Sequence, residues 1–202
     1  MGKISTYSND GSISSTDKLI GTDSSDNNAT KNFLVGDLLA YINSQLDAQL
    51  VLNAQSTLIQ APSSLDTPLQ VTFGAAQGSS STSVQLDALG NITFNESGLY
   101  IINAYGSVER QGSSGGTAVF LFRGLLNNIQ ASSVKAFHID TPNVASPYEI
   151  TVPLQANVGD VYKFQVMRDS SGVNHGGLYP HINLGGWSNV PSTEILIWKI
   201  SL

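Results

Sequence analysis

From Pro68 to Leu202 apolar side chains keep returning at every second position, a period that suits a strand and not a helix. YEITVPL sets Tyr148, Ile150, Val152 and Leu154 on one face against Glu149, Thr151 and Pro153 on the other. DVYKFQVMR sets Tyr162, Phe164 and Val166 against Lys163 and Gln165. EILIWKISL closes the chain with Leu196, Trp198, Ile200 and Leu202 on one side. Between such runs lie Gly- and Asn-rich turns: LGN, NESG, QGSSGG, NVGD and DSSGVNHGG. Many short strands with this punctuation predict an all-β protein, an antiparallel sandwich or barrel.

Composition agrees. Charged residues make up 12% of the 202-residue chain, about half the usual ~25%. The polar surface must come from Ser, Thr, Asn, Gln and 19 glycines, which suits turns better than helix faces. The net charge is −6, and the nine Lys and Arg are scattered from Lys3 to Lys199. Without a cluster of cations to displace condensed counterions, nucleic acid is not an expected partner. No apolar run approaches the ~20 residues needed to span a bilayer, and no signal peptide is read. Cysteine is absent, which excludes disulfides, thiolate metal sites and a Cys nucleophile. That fits folding in a reducing cytoplasm or reliance on assembly.

Two strands are apolar on both faces. LYIINAYGSV carries Leu99, Ile101 and Tyr105 on one side and Tyr100, Ile102, Ala104 and Val108 on the other. TAVFLFRGLL sets Val119, Leu121 and Leu125 against Ala118, Phe120, Phe122 and Leu126. A two-sheet sandwich buries only one face of each strand. The second face needs a loop or helix over it, or a neighbouring subunit, because large exposed apolar patches are rare on monomers. With little helix available as cover, the subunit is the favoured reading, and Tyr100, Ile102, Tyr105, Phe120 and Phe122 are the expected interface residues.

The first part of the chain is different. Residues 1–32 read as an extended arm rich in Ser, Asp and Asn, too polar to order alone. Residues 33–61 read as a helical anchor and linker. Asp37 is the expected cap, followed by Leu38, Leu39, Ile42 and Leu46 on one face as far as Asp47. QAPSSLDTP then punctuates, and residues 62–202 form the sandwich domain. Two apolar clusters, Leu19-Ile20 and Phe33-Leu34-Val35, interrupt the arm. They need a surface to lie on, either their own domain or another protein.

No catalytic set emerges. Gly112-x-Ser114-x-Gly116 spells a nucleophile elbow, but a strand follows where that motif needs a helix. Gly74 to Gly78 lacks the lysine and helix of a phosphate cradle. His138, His175 and His181 form no His-x-His pair, and RDSSGVNHGG reads as a turn whose side chains bond their own backbone. Glu96, Glu109, Glu149 and Glu194 lie at strand edges or turns, and no two are paired by the sequence at glycosidase spacing. No cofactor or metal is expected.

NITFNESGLYIINAYGSVERQG, TAVFLFRGLLNNIQ, LQANVGDVYKFQVMRDSSG and STEILIWKI, in that order, resemble the jelly roll of tumour-necrosis-factor and complement globular-head domains. The matching marks are Gly98-x-Tyr100 at a strand start, the Gly159-Asp160 turn, and an aromatic-aliphatic last strand. The resemblance implies an antiparallel jelly-roll β-sandwich and a homotrimer. TDKLIGTD followed by TKNFLVGDLLAYI resembles the N-terminal segment of virion structural proteins of tailed bacteriophages. It implies attachment to a major capsid protein or other virion protein through Leu19, Ile20, Phe33, Leu34, Val35 and Leu38. The leading expectation is therefore a non-enzymatic, trimeric capsid decoration or cement protein, assembled in the host cytoplasm and carried on the virion. The alternative is a receptor-binding module of a tail fibre or head fibre, with a host surface glycan as partner.

Overall fold

The computed structural model describes residues 14, 16, 18–23, 29–38, 42, 48–77, 82–112, 115–181, 185–186 and 188–200. The chain divides into two compact units, Met1–Asp47 with Ser201–Leu202, and Ala48–Ile200.

The larger unit is two antiparallel sheets. One has the order β11-β7-β14-β3 with β13 beside β7. These strands are β3 (Ala48–Ser56), β7 (Gly98–Arg110), β11 (Ser146–Ala156), β13 (Gly176–Leu178) and β14 (Thr193–Ile200). The other has the order β10-β8-β12-β6-β5, with β4 on β12 and β9 on β8. Its strands are β4 (Leu69–Gln70), β5 (Val84–Leu86), β6 (Ile92–Phe94), β8 (Ala118–Leu126), β9 (Ile129–Gln130), β10 (Lys135–Ile139) and β12 (Val161–Arg168). Apart from the β5–β6 and β8–β9 pairs, neighbours in each sheet are not consecutive strands, so chain crossings between the sheets hold the sandwich together, as in a jelly roll.

The alternation does what the sequence requires. Along β11 burial alternates strictly from Tyr148 to Ala156, and Tyr162, Phe164 and Val166 of β12 face inward. Aromatic rings fill the space between the sheets. Phe122 lies 5.0 Å from Phe164 and 5.4 Å from Tyr148, and Tyr162 meets Phe164 edge-on at 5.1 Å. Offset and edge-on contacts suit the ring quadrupoles. Tyr148 donates to Thr193 Oγ1 at 2.7 Å inside the core, so its buried hydroxyl is satisfied, and burial pushes the phenol's pKa far up.

One turn needs glycine. At Gly90 φ is +85°, and an added Cβ would sit 2.0 Å from the Val71 carbonyl oxygen. Asp87 ties that turn by accepting from the N–H groups of Leu89 and Asn91.

One expected boundary is corrected. Residues 48–56, read as part of a helical anchor and linker, form β3, paired with β14 from Thr193↔Ser56 to Ile200↔Ala48. The sandwich therefore begins at Ala48, not at residue 62. A bulge explains the misreading. The register steps from Ile197↔Leu52 to Trp198↔Leu50, so Val51 and Leu52 are buried in succession and the period of two is broken. Further on, the inward side chains are only Ala54 and Ser56, too small to signal a core face.

The smaller unit also differs from a bare arm. β1 (Lys18–Asp23) and β2 (Ala29–Leu34) pair antiparallel, with Leu19 opposite Phe33 and Ile20 opposite Asn32. Residues 35–38 and Ile42 are helical, starting just before the expected cap Asp37, while Leu39, Leu46 and Asp47 lie outside the described residues.

Candidate interaction surface

Which face of β7 looks outward is a matter of register, and register also decides what stands beside it. Tyr100, Ile102 and Ala104 point into the sandwich and are fully buried. Leu99, Ile101, Asn103 and Tyr105 are the outward set, all half-buried. Cross-strand pairing arranges them in rows over β11, β7, β14 and β3. One row is Pro153, Ile101, Trp198 and Leu50. Another is Gln155, Leu99, Ile200 and Ala48. Toward the opposite end come Thr151, Asn103, Leu196 and Asn53, then Glu149, Tyr105, Glu194 and Gln55. One end of the face is thus apolar, with Leu50 41% exposed, and the other is amide and carboxylate. Thr151 donates to Asn103 Oδ1 at 2.9 Å across the middle.

This geometry corrects the expected interface. Tyr100, Ile102, Phe120 and Phe122 are core residues with at most 1% exposure. Tyr100 also donates to the Glu96 carbonyl at 2.8 Å, which fixes it inward. Tyr105 alone of the five stands on an outer face. When both faces of a strand are apolar, alternation cannot say which is inside. For β8 the outer face finds cover in its own chain. The loop after β12 lies against Val119, where a Cβ on Gly172 would come within 3.0 Å of Val119 Cγ2. Val119 is 9% exposed and Leu125 6%.

The expected attachment residues fall on the β1–β2 hairpin and the turn after it. Leu19 is 44% exposed, Ile20 77%, Leu34 40% and Leu38 42%, and Val35 is half-buried. Leu19 and Ile20 are successive strand residues and so occupy opposite faces of the ribbon. For Phe33 the structure gives the backbone pairing with Leu19.

Among the described residues no catalytic set is brought together. Ser107 Oγ lies 3.5 Å from His181 Nε2, at the limit of a hydrogen bond, and Ser107 is 5% exposed. Glu109, further along the same strand as Ser107, is buried and accepts from the Gln111 amide, and among the described residues no hydrogen bond joins it to His181. Among the described residues no three His, Asp or Glu converge on a possible metal. Ser114 and Trp187 lie outside the described residues, and β8 follows Gly116 as the elbow argument required.

Sequence reasoning missed one buried polar end of the sandwich. Arg110 is 1% exposed and donates to the Asp140 carbonyl at 2.8 Å and to that of Gly116, tying two loops together. Arg168 donates to Gly176 O at 2.7 Å and Asn174 Oδ1 at 2.8 Å. Burial raises the pKa of Tyr179 between Arg168 and Glu109. These cations serve carbonyl oxygens, which no sequence motif marks.

No family model matches the chain, and no curated protein matches it. Among solved structures, the globular domain of zebrafish complement 1qA is similar over 74% of this chain and 95% of its own, at 12% identity and a TM-score of 0.45. PRD1 vertex protein P5 is similar over 75% of this chain and 99% of its own, at 19% identity and a TM-score of 0.44. With scores of that size, the fold assignment rests on strand order and register.

Proposed function

We propose that the chain is a non-enzymatic virion structural protein of a tailed phage, a trimeric jelly roll that decorates the capsid through its N-terminal unit. The observation that carries the reading is the outer face of the β11-β7-β14-β3 sheet. Leu50, Leu99, Ile101, Leu196, Trp198 and Ile200 form a continuous apolar field there. A surface of that kind gains by burial under a second copy. The interface residues of the proposal are these, with Tyr105, in place of the core residues named from sequence.

Attachment belongs to the smaller unit. A two-stranded ribbon is marginal in water, yet this one exposes Leu19, Ile20 and Leu34. Covering those side chains on another virion protein would stabilise both the ribbon and the contact. At ~25 cal/mol per Å2 of apolar surface, a few such side chains contribute several kcal/mol per chain, less the ordering cost. Three tethered copies then act at high effective concentration once the first has docked. The placement on a phage particle draws on the resemblance of TDKLIGTD and TKNFLVGDLLAYI to phage virion segments.

The test is to add purified protein to particles lacking it and count bound copies. Full-length protein should bind in hundreds per particle, on the order expected for decoration. Leu19→Asp with Ile20→Asp should bind at least tenfold less. Undiminished binding by that variant would move the attachment site onto the sandwich.

A further inference from the structure

Residues 48–200 hold nine carboxylates. Seven of them accept at least one hydrogen bond within the chain. The two that accept none among the described residues are Glu149 and Glu194. Both pair in register with Tyr105, one from β11 and one from β14, so the phenol stands between two uncompensated carboxylates on one outer face. Both raise the Tyr105 pKa, after its own partial burial. Among the described residues nothing cationic shares that face: its fourth strand offers Gln55 in the same row.

The same unit holds six Lys and Arg. Arg110, Arg123, Arg168 and Lys199 are each engaged by oxygens of the chain. Lys135 and Lys163 make no hydrogen bond or ion pair among the described residues. The charges left over are therefore two carboxylates on one face and two ammonium groups elsewhere. That arrangement makes face-to-face pairing of two copies repulsive and head-to-tail pairing attractive.

Symmetry chooses between the lysines. A trimer cannot be isologous, so one patch must meet a different patch, and the repeat must turn enough to close. Lys163 lies on the outward side of β12, in the opposite sheet. Joining a face to the opposite face repeats without turning and gives an open stack. Lys135 lies on β10, the edge strand of its sheet, and is exposed. It lines a groove of about 260 Å3 with Ser133, Thr151 and Pro153 at the side of the sandwich. Val134 beside it is 45% exposed, so this edge is apolar as well as cationic. Joining a side to a face turns each copy against the last, and such a ring can close.

We infer that the Tyr105–Glu149–Glu194 row is a socket for Lys135 of a second copy of this chain, and that this contact closes the trimer head to tail. The inference rests on the trimeric reading above. Lys135 also lines its groove beside Thr151 and Pro153 of β11, which stand one and two rows from Glu149 and Glu194. Rotation about an axis parallel to the strands preserves height along them, so the ammonium group of one copy reaches the row of the next. Tyr105 contributes a ring face to the cation in addition to the two charges.

Two measurements test this on the full chain. Carbodiimide, which joins an ion-paired lysine to a carboxylate without a spacer, should link Lys135 to Glu149 or Glu194 between copies and give covalent dimers and trimers. Mixing isotopically heavy and light protein before assembly identifies the linked peptides as intermolecular. Links through Lys163 alone, or links only within one copy, would overturn the socket. In sedimentation, Lys135→Glu and Glu194→Lys should each weaken the trimer about tenfold or more, and the two together should restore it. Wild-type trimers that neither reversal weakens would overturn the socket while leaving trimerisation standing. A wild-type monomer would overturn both. Near-ultraviolet circular dichroism shows that each variant is folded before its assembly is measured.

Discussion

Gly124 lies on the inward side of β8, opposite Phe164 of β12. A Cβ there would sit 1.7 Å from Tyr162 Oη and 2.5 Å from Cζ. The ring has nowhere to go, since Tyr162 has no exposed surface and packs edge-on against Phe164 at 5.1 Å. The strand cannot move either, held by β10 on one side and β12 on the other. Overpacking of this kind costs about 1–3 kcal/mol, and more where backbone and ring are both fixed. Gly124→Ala should thus lower unfolding stability by about 3 kcal/mol or more, read from the urea midpoint at fixed protein concentration with an unchanged slope. Tyr162→Leu in the same background should recover part of the loss, a coupling of about 1 kcal/mol or more. A change under about 0.5 kcal/mol for Gly124→Ala, or strict additivity of the pair, would refute the packing described here.

Burial of the Tyr162 hydroxyl carries its own consequence. Among the described residues it makes no well-formed hydrogen bond, although Ser132 Oγ, which accepts from the Gly124 N–H at 2.7 Å, stands close by. Tyr162→Phe should therefore leave stability unchanged or raise it by up to about 1 kcal/mol, whereas a loss above 1 kcal/mol in urea unfolding would argue for a hidden partner. On the outer face, Trp198→Asp should weaken the trimer by about 2 kcal/mol or more per contact and leave a folded chain, while Phe120→Asp should abolish folding; circular dichroism with sedimentation separates the two. Asp160 is held below the usual carboxylate range by the Asn157 N–H and the Asn127 amide, both at 2.8 Å. Its folded pKa is lower than its unfolded one, so its contribution is present above the unfolded pKa of about 4 and is lost as pH falls through the folded value. The melting temperature should drop on acidification below that point, and Asp160→Asn should flatten part of the drop; an unchanged pH profile in the variant would count against the turn's role.

How much of this could be read in the sequence depended on whether local pattern had one answer. β11 and β12 have one polar and one apolar face, so their inner sides were legible as far as individual residues. β7 and β8 have two apolar faces, and their inner sides became legible only once partners and register were known. β3 escaped because a bulge buried Val51 and Leu52 together and because Ala54 and Ser56 are weak markers of a core. The β1–β2 pairing escaped because the tract between them reads as uniformly polar. On the candidate surface, Tyr105 was expected at an interface together with Tyr100 and Ile102 of the opposite face, so its outward position was not legible from β7 alone. Nor was its flanking by Glu149 and Glu194, since residues 105, 149 and 194 meet only through sheet order.

Sedimentation equilibrium of the wild-type protein at concentrations on the order of micromolar bears most directly on the central claim, that the apolar field around Ile101 and Trp198 is covered by other copies of the chain. The chain mass is 21.4 kDa, and the account predicts a single species of about three times that mass, reduced toward one chain mass by Trp198→Asp. A wild-type species that stays at 21.4 kDa across that range would contradict it.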